Sequence, residues 1–430
     1  MPLSSALFAS VSGLDAMGTA ISVVGDNIAN VNTTGFKARR PEFADVLGQS
    51  IASVQGFSQI GAGTKISGVT PNFTQGTFET TNRPTDLAIE GRGFFILDSP
   101  QGRFYSRAGL FNFDRDGYLT NPEGQRVQGY TIDPLTQIST GTLADINVGN
   151  PLAPPSTTTT MDLSVNLDSN APVIAGGFDT ADPNNTSNFR SVVTIYDSLG
   201  NGHPATIFFT KTGTNAWAWN ATLPVADTTT APANATDTLV VQGSGTLTFD
   251  AQGALQAMTG SPVNYQVTGG AAANQAVVTN FGPVAGVGTG DPTTQFGTSS
   301  TTNSFSQDGY AAGSLQSIVI GRDGFITGQF TNGESLNLAQ VALANFPNVQ
   351  GLVAVGGNNL IASRFSGQPL VGEPQSGSFG AIRSSNLEQS NVDLASEFVR
   401  LIINQRAFQA NTRTISTTNE LLGNLIQLGQ

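Results

Sequence analysis

The chain has 430 residues, with 50 Gly, 26 Phe, one His and no Cys, and its 18 basic against 30 acidic residues leave a net charge of −12. That length implies about two to four domains, and so few Lys and Arg argue against a nucleic-acid partner, because phosphate binding needs clustered basic residues. The lack of Cys excludes disulfides, thiol nucleophiles and thiolate zinc sites.

The first segment is helical by periodicity. Leu3, Leu7, Ser10, Leu14, Met17, Ile21, Val24, Ile28 and Val31 step by four and three, which is a heptad seam. Between them lie Ser, Ala, Gly and Thr, and the charges before Lys37 are Asp15 and Asp26. A basic leader and a continuous apolar run are missing, so neither a cleaved secretory signal nor membrane insertion is expected. The stretch Asp26–Lys37, DNIANVNTTGFK, reads as a helix end, with Asn and Thr to cap it and Gly35 to supply a positive φ. Gly61, Gly63 and Gly68 in GAGTKISG miss the dinucleotide and phosphate-loop spacings and suit close backbone packing.

The middle of the chain is β in character. Segments 87–97, 191–196, 205–210 and 246–249 are rich in β-branched and aromatic residues between Gly, Asn, Asp or Pro. Asp116-Gly117, Asn201-Gly202 and Asp323-Gly324 are hairpin-type turn dipeptides. FDRDGYLT at 113–120 is similar to IGRDGFIT at 320–327, which predicts two alike hairpins in one domain, parted by a long insertion. Linker-like stretches flank that insertion at 150–160 and 295–304. It holds nine Asp against Arg190 and Lys211, and so reads as a separate, solvent-facing domain. His203, in the turn NGHP, is expected to be solvated. Asp114, Asp116 and Gly117 lack the remaining ligands of a calcium loop. No catalytic set, cofactor or metal is expected.

The last segment returns to the heptad. Leu387, Asn391, Leu394, Phe398, Leu401, Gln405, Phe408, Thr412, Ile415, Asn419, Leu422 and Ile426 keep the same alternation, with a helix start near Asn391 and Asp393 in the first turn. A solitary helix buries too little of such a seam to offset the cost of ordering it. The two ends are therefore expected to order when they meet each other and neighbouring copies, although an intramolecular two-helix stalk would use the same pattern. The expected fold is mainly β with long terminal α-helices. It is nested and multi-domain: the N- and C-terminal helices pair as a coiled coil and the β domains project outward. The layers are 1–35 with 385–430 for polymerisation, 36–75 with 370–384 as a connecting segment, 76–149 with 305–369 as an inner β domain, and 150–304 as an outer one.

The stretch from Asp26 to Lys37 resembles the signature of the flagellar axial proteins, the rod and hook family. The C-terminal stretch from Leu370, FETTNRPTDLAIEGRGFFIL at 78–97 and YSRAGLF at 105–111 are similar to the same family. The resemblance carries the signature onto Asn27, Ile28, Ala29, Asn30, Asn32, Thr33, Thr34, Gly35 and Phe36. The insert, from DPNNTSNFRSVVTIY onward, resembles the outer domain of hook subunits. The resemblance implies a non-enzymatic, extracellular homopolymer, exported by the flagellar type III export apparatus without signal cleavage and assembled beneath a hook cap. Its implied neighbours are the distal rod protein and the hook–filament junction protein. The polymerisation interface would comprise Leu3, Leu7, Leu14, Met17, Ile21, Val24, Ile28 and Val31 with Leu387, Leu394, Phe398, Leu401, Phe408, Ile415, Leu422 and Ile426. A rod or junction protein of that family, or a secreted β-rich adhesin on a helical stalk, are the alternatives.

Overall fold

A computed structural model describes residues 2–53, 56–133, 136–149, 151–234, 236–288 and 290–428, without the side chains of 2–4, 48–53, 56–60 and 425–428. Two long helices, α1 (Pro2–Ala29) and α2 (Leu394–Leu428), bracket a series of strands. Contacts divide the chain into two units: Met1–Asn150 with Ser317–Gln329 and Ser335–Gln430, and Pro151–Gln316 with Phe330–Glu334. The strand Thr301–Gln307 runs through the boundary expected at 304/305, because it pairs with Thr160–Asn166 in the second unit.

In the first unit, α1 stops at Ala29. There the Asn30 side chain donates to the Asp26 carbonyl at 2.9 Å, and the chain turns. Val31, expected on the helix seam, therefore lies beyond the helix. Next come β1 (Arg39–Ser53) and β2 (Gly56–Pro71), which form a long antiparallel ribbon with three register shifts. They are followed by β3 (Phe78–Thr80), β4 (Leu87–Glu90), β5 (Phe94–Ser99) and β6 (Gly102–Ser106). The apolar run 87–97 splits into β4 and β5 because Gly91 and Gly93 take φ of 106° and 133°, a backbone that few other residues tolerate. The core packs edge to face: Phe94 on Phe73 (5.6 Å) and on Phe346 (6.0 Å), Tyr105 on Phe346 (4.8 Å), and Phe95 on Phe111 (5.0 Å). The C-terminal strands pair with N-terminal ones, Ala381–Ser384 with β4 and Asn386–Glu388 with β3. Leu387, read from sequence as a helix-seam residue, is consequently buried in a strand.

The two similar octapeptides form the same turn. Asp114 N–H donates to Tyr118 O and Gly117 N–H to Asp114 O; Gly321 N–H donates to Phe325 O and Gly324 N–H to Gly321 O, all at 2.9–3.1 Å. Both turns belong to the first unit. The same device recurs at Asp197–Asn201, where Asp197 Oδ1 accepts from the N–H groups of Leu199 and Asn201. The turn is thus Asp197–Gly200, and Asn201-Gly202, read as the turn dipeptide, instead leads into the strand Gly202–Gly213.

The second unit is two antiparallel-rich sheets around one core. A five-stranded meander runs in sequence order through Phe189–Tyr196, Gly202–Gly213, Ala216–Pro224, Leu239–Phe249 and Leu255–Met258. A four-stranded sheet orders Val263–Tyr265, Gln275–Asn280, Thr160–Asn166 and Thr301–Gln307. Both tryptophans of the chain, Trp217 and Trp219, are fully buried between them, with Trp219 5.3 Å from Phe281. Their indole N–H groups donate to Gln295 Oε1 and to Thr259 O. His203 is buried rather than solvated, since strand alternation turns it inward with Ala205, Ile207 and Phe209. Its Nε2 lies 3.1 Å from Asp197 Oδ2 and its Nδ1 3.7 Å from Asp227 Oδ1.

Two carboxylates tie this unit to acid. Burial opposes ionisation of Asp197, but hydrogen bonds from Asn201, His203 and Leu199 outweigh it and hold its carboxyl below the usual range. Asp308 is lowered likewise, with burial opposed by donors on Thr159 and Thr160. A carboxylate with a depressed folded pKa stabilises fully above its unfolded value, near 4, and loses that contribution as pH falls through the lower folded value. The thermal midpoint read by tryptophan emission should therefore hold down to about pH 4 and drop below it. Asp308→Asn should lower it at neutral pH and flatten the acid limb. A midpoint unchanged well below that range would refute this.

Candidate functional site

The two chain ends are joined through a buried ionic knot. Glu388, in the strand paired with β3, is fully buried, and its Oε1 accepts from Lys37 Nζ at 2.6 Å and from Gly76 N–H at 2.9 Å. Its Oε2 lies 3.5 Å from Arg107 Nη1. Lys37 Nζ also donates to Thr74 O (2.9 Å), and Arg107 Nη2 to Gly91 O (2.8 Å). Burial pulls the Lys37 ammonium below its ordinary range, Glu388 draws it back up, and the Arg107 charge adds to the lowering. Burial lowers the Arg107 guanidinium too, again against Glu388. These side chains hold together three stretches of chain that sequence leaves far apart.

The signature residues build the rest of the knot. Asn27, fully buried on α1, brackets Arg39: its Oδ1 accepts from Arg39 N–H and its Nδ2 donates to Arg39 O, both at 2.8 Å. The same Nδ2 reaches Glu397 Oε2 on α2 at 3.2 Å. Gly35 takes φ 70° and passes so close to the chain leaving β6 that a Cβ would sit 2.6 Å from Ala108 N. Its N–H donates to Glu388 O at 2.7 Å. Thr33 Oγ1 bonds Asn30 Oδ1, and Thr34 O accepts from Asn358 Nδ2. Phe36 is buried, while Ile28 is half-buried and Ala29 and Asn32 are exposed. Asn391, expected to begin the helix, instead accepts from Ala38 N–H and donates to Asn72 O and Thr74 O. The helix starts at Leu394 because Asp393 caps it, its Oδ1 accepting from Ala395 N–H at 2.9 Å. Beside the knot a cleft of about 380 Å³ is lined by Phe36, Phe73 and Leu352 with Asp26 and Arg39.

α1 and α2 run antiparallel: Asn27 meets Glu397, and Gly13 lies so near Asn411 that a Cβ would be 2.7 Å from its Nδ2. On α1 the buried residues are Ser10, Gly13, Ala16, Ala20, Val24 and Asn27. Leu7, Leu14, Met17, Ile21 and Ile28 are half-buried beside this small-residue stripe. On α2 the inward positions are Glu397, Leu401, Asn404, Phe408, Asn411, Ile415 and Thr418. Leu401, Phe408 and Ile415 are shared with the sequence-based seam, but the alternate positions are one residue earlier, so Phe398 faces outward with Leu394 and Leu422. The side chains of Leu3 and Ile426 lie outside the described residues. The segment Ser5–Ala29 is long and apolar enough to cross a membrane by length and composition, although Asp15, Asp26 and several Ser and Gly interrupt its apolar residues. Among the described residues no cluster of three or more His, Asp or Glu could hold a metal ion.

Sequence reasoning missed Lys37, Arg107 and Glu388. No local signal sets them apart, since Lys37 stands two and three residues before Arg39 and Arg40 and Arg107 four residues after Arg103.

Comparison with known proteins covers most of the chain. Residues 7–37 match the flagella basal body rod protein family, 88–168 the flagellar hook protein FlgE/F/G D1 domain, 166–310 the flagellar basal body protein FlaE D2 domain, and 383–428 the flagellar basal body rod FlgEFG protein C-terminal family. The flagellar hook protein FlgE of Salmonella typhimurium is 36% identical over 421 residues, spanning 97% of this chain and 98% of that protein. That of Borreliella burgdorferi is 35% identical over 455 residues, spanning 98% and 99%. A crystal structure of Helicobacter pylori flagellar hook protein FlgE2 aligns with a TM-score of 0.47 at 16% identity, over 72% of this chain and all of that one. With near-complete coverage at this level of identity, the chain belongs to the flagellar hook protein family.

Proposed function

We propose that this chain, a structural subunit of the bacterial flagellar hook, polymerises through its terminal helices into a curved extracellular tube. The tube acts as a universal joint between rod and filament. The observation that carries this reading is the outer face of α2. Leu394, Phe398, Val399, Ile402 and Ile403 stand 40–59% exposed along it, and Phe8 is 68% exposed on α1. An apolar strip of that extent on a secreted protein needs a cover, and a second copy supplies one. Leu394, Phe398 and Leu422 would then face neighbouring copies, whereas Leu401, Phe408 and Ile415 would close α2 onto α1 as a coiled coil within each copy.

The same reading assigns four nested layers, with the outer boundary moved past the strand Thr301–Gln307: 1–35 with 385–430, 36–75 with 370–384, 76–149 with 317–369, and 150–316 outermost. The acidic outer layer would make small, wet, salt-screened contacts that can slide as the tube bends. Unfolded export through the flagellar type III apparatus, growth beneath a hook cap, and end contacts with the distal rod protein and the hook–filament junction protein complete it. No catalytic step is assigned.

Electron microscopy of the purified chain, polymerised in high salt, tests this directly. Curved tubes are expected. Short straight rods would favour a rod or junction role, and failure to polymerise would favour an adhesin-like stalk.

A further inference from the structure

The β1–β2 ribbon has strands of 15 and 16 residues but no core of its own. None of its described side chains is buried, and register shifts at Glu42/Phe43, Asp45/Leu47 and Leu47/Ser50 interrupt its ladder. A two-stranded ribbon of this kind is marginal in water by itself. Something outside the ribbon must stabilise its order.

The structure shows what that is. Gly63 on β2 has φ 111° and rides directly over α1, where a Cβ would lie 2.0 Å from Ser12 Oγ and 3.0 Å from Ala9 Cα. The next N–H, of Thr64, donates to Ser12 Oγ at 3.2 Å, while Ser12 Oγ–H donates back to Ala9 O at 2.8 Å. Ser12 thus serves as a polar peg in an otherwise small-residue face, and Gly63 as the socket that lets backbone approach it. The ribbon's other attachment is the bracket of Asn27 around Arg39 at its base. Ser12 and Asn27 are about 22 Å apart along a helix rising 1.5 Å per residue. Two attachments at that spacing fix both the axial position and the rotation of α1.

We propose that the ribbon is a strap whose order and that of α1 are mutually conditional: each is stable only when the other is seated, and the Ser12–Gly63 contact is the latch that sets their register. Neither element has an independent core. α1 hides Ala16 and Ala20 almost completely, while the seam residues beside them stay half-buried. Ordering one without the other would uncover Ala9 and Ser12 of α1 and leave the ribbon unsupported. The bases of both are held by the knot, so the cooperative element is the free length beyond it.

Amide hydrogen exchange on the full chain tests the coupling, in the soluble and the assembled state alike. Residues 5–24 should gain and lose protection together with 39–47 and 61–71. Gly63→Val, which places branched bulk in the latch, should accelerate exchange about tenfold or more in both segments. Ser12→Ala, which removes the peg without adding bulk, should act in the same direction and more weakly. Tryptophan emission, which reports the second unit, should melt at the wild-type temperature in both variants. Protection of one segment without the other in any state, or loss confined to the ribbon in Gly63→Val, would overturn the proposal, as would wild-type exchange in both variants.

Discussion

Leu401→Asp is expected to abolish polymer formation while the second unit stays folded. Leu401 is half-buried on the face of α2 turned toward α1, between Glu397 and Asn404. Aspartate there forfeits the transfer energy of a leucine and brings an unpaired charge into the seam, a loss of about 3 kcal/mol or more. The cost falls on a helix pair with little else to hold it, since α2 beyond its first turns presents mostly exposed side chains. Light scattering under polymerising conditions should remain at the monomer level. The tryptophan melting curve, which reports only Trp217 and Trp219, should be unchanged. Normal tubes from this variant would show that the α1–α2 seam is not needed for assembly.

Glu388→Ala should destabilise the first unit by about 3–5 kcal/mol, the cost of stranding buried charge by removing its partner. It would leave Lys37 and Arg107, with side chains only 7% and 9% exposed, facing each other without the carboxylate. Glu388→Gln keeps the volume and should cost nearly as much, which separates lost charge from a cavity. Guanidinium unfolding followed by far-UV circular dichroism reads the first unit, with tryptophan emission as the internal control. A loss below about 1 kcal/mol for both variants would mean that the ions are solvated and the knot contributes little. Replacing Lys37 and Glu388 together by apolar residues of similar size should recover part of the loss, because burying ions is itself expensive.

Periodicity and turn chemistry were readable from sequence alone. The alternation of apolar residues in SVVTIY places Val193 and Ile195 inward, and the DRDG turn at 114–117 and the GRDG turn at 321–324 make the same two backbone hydrogen bonds. Heptad steps located both helices, yet they misjudged the α2 face by one residue at alternate positions. The reason is chemical: Glu397, Asn404, Asn411 and Thr418 are polar, and hydrophobic patterning cannot see a seam built half from polar side chains facing Gly13 and Asn27. His203 was misread because a turn dipeptide drew attention to Asn201-Gly202, although strand alternation already ran through it. The knot was invisible for a different reason. Lys37 and Glu388 are 351 positions apart, and no local rule connects them.

That separation has a kinetic meaning. Closing a loop costs entropy that grows with its length, and contacts between distant residues form after local ones. Asn27 and Lys37 have nearby partners in Arg39 and Thr74. Glu388 and Glu397 must both have emerged, however, before Lys37 gains its carboxylate and Asn27 its contact with α2, so the N-terminal segment completes its ties only with nearly the whole chain. The sandwich around Trp217 has no such dependence. Its longer ties, such as Thr159 to Asp308, span 149 positions, and its meander is a series of neighbouring hairpins. A chain delivered from its N-terminus would therefore complete its acidic middle first. Its leading helix would complete its ties only when the last residues arrive, which, on the proposed mode of assembly, keeps that helix available for capture by the growing end.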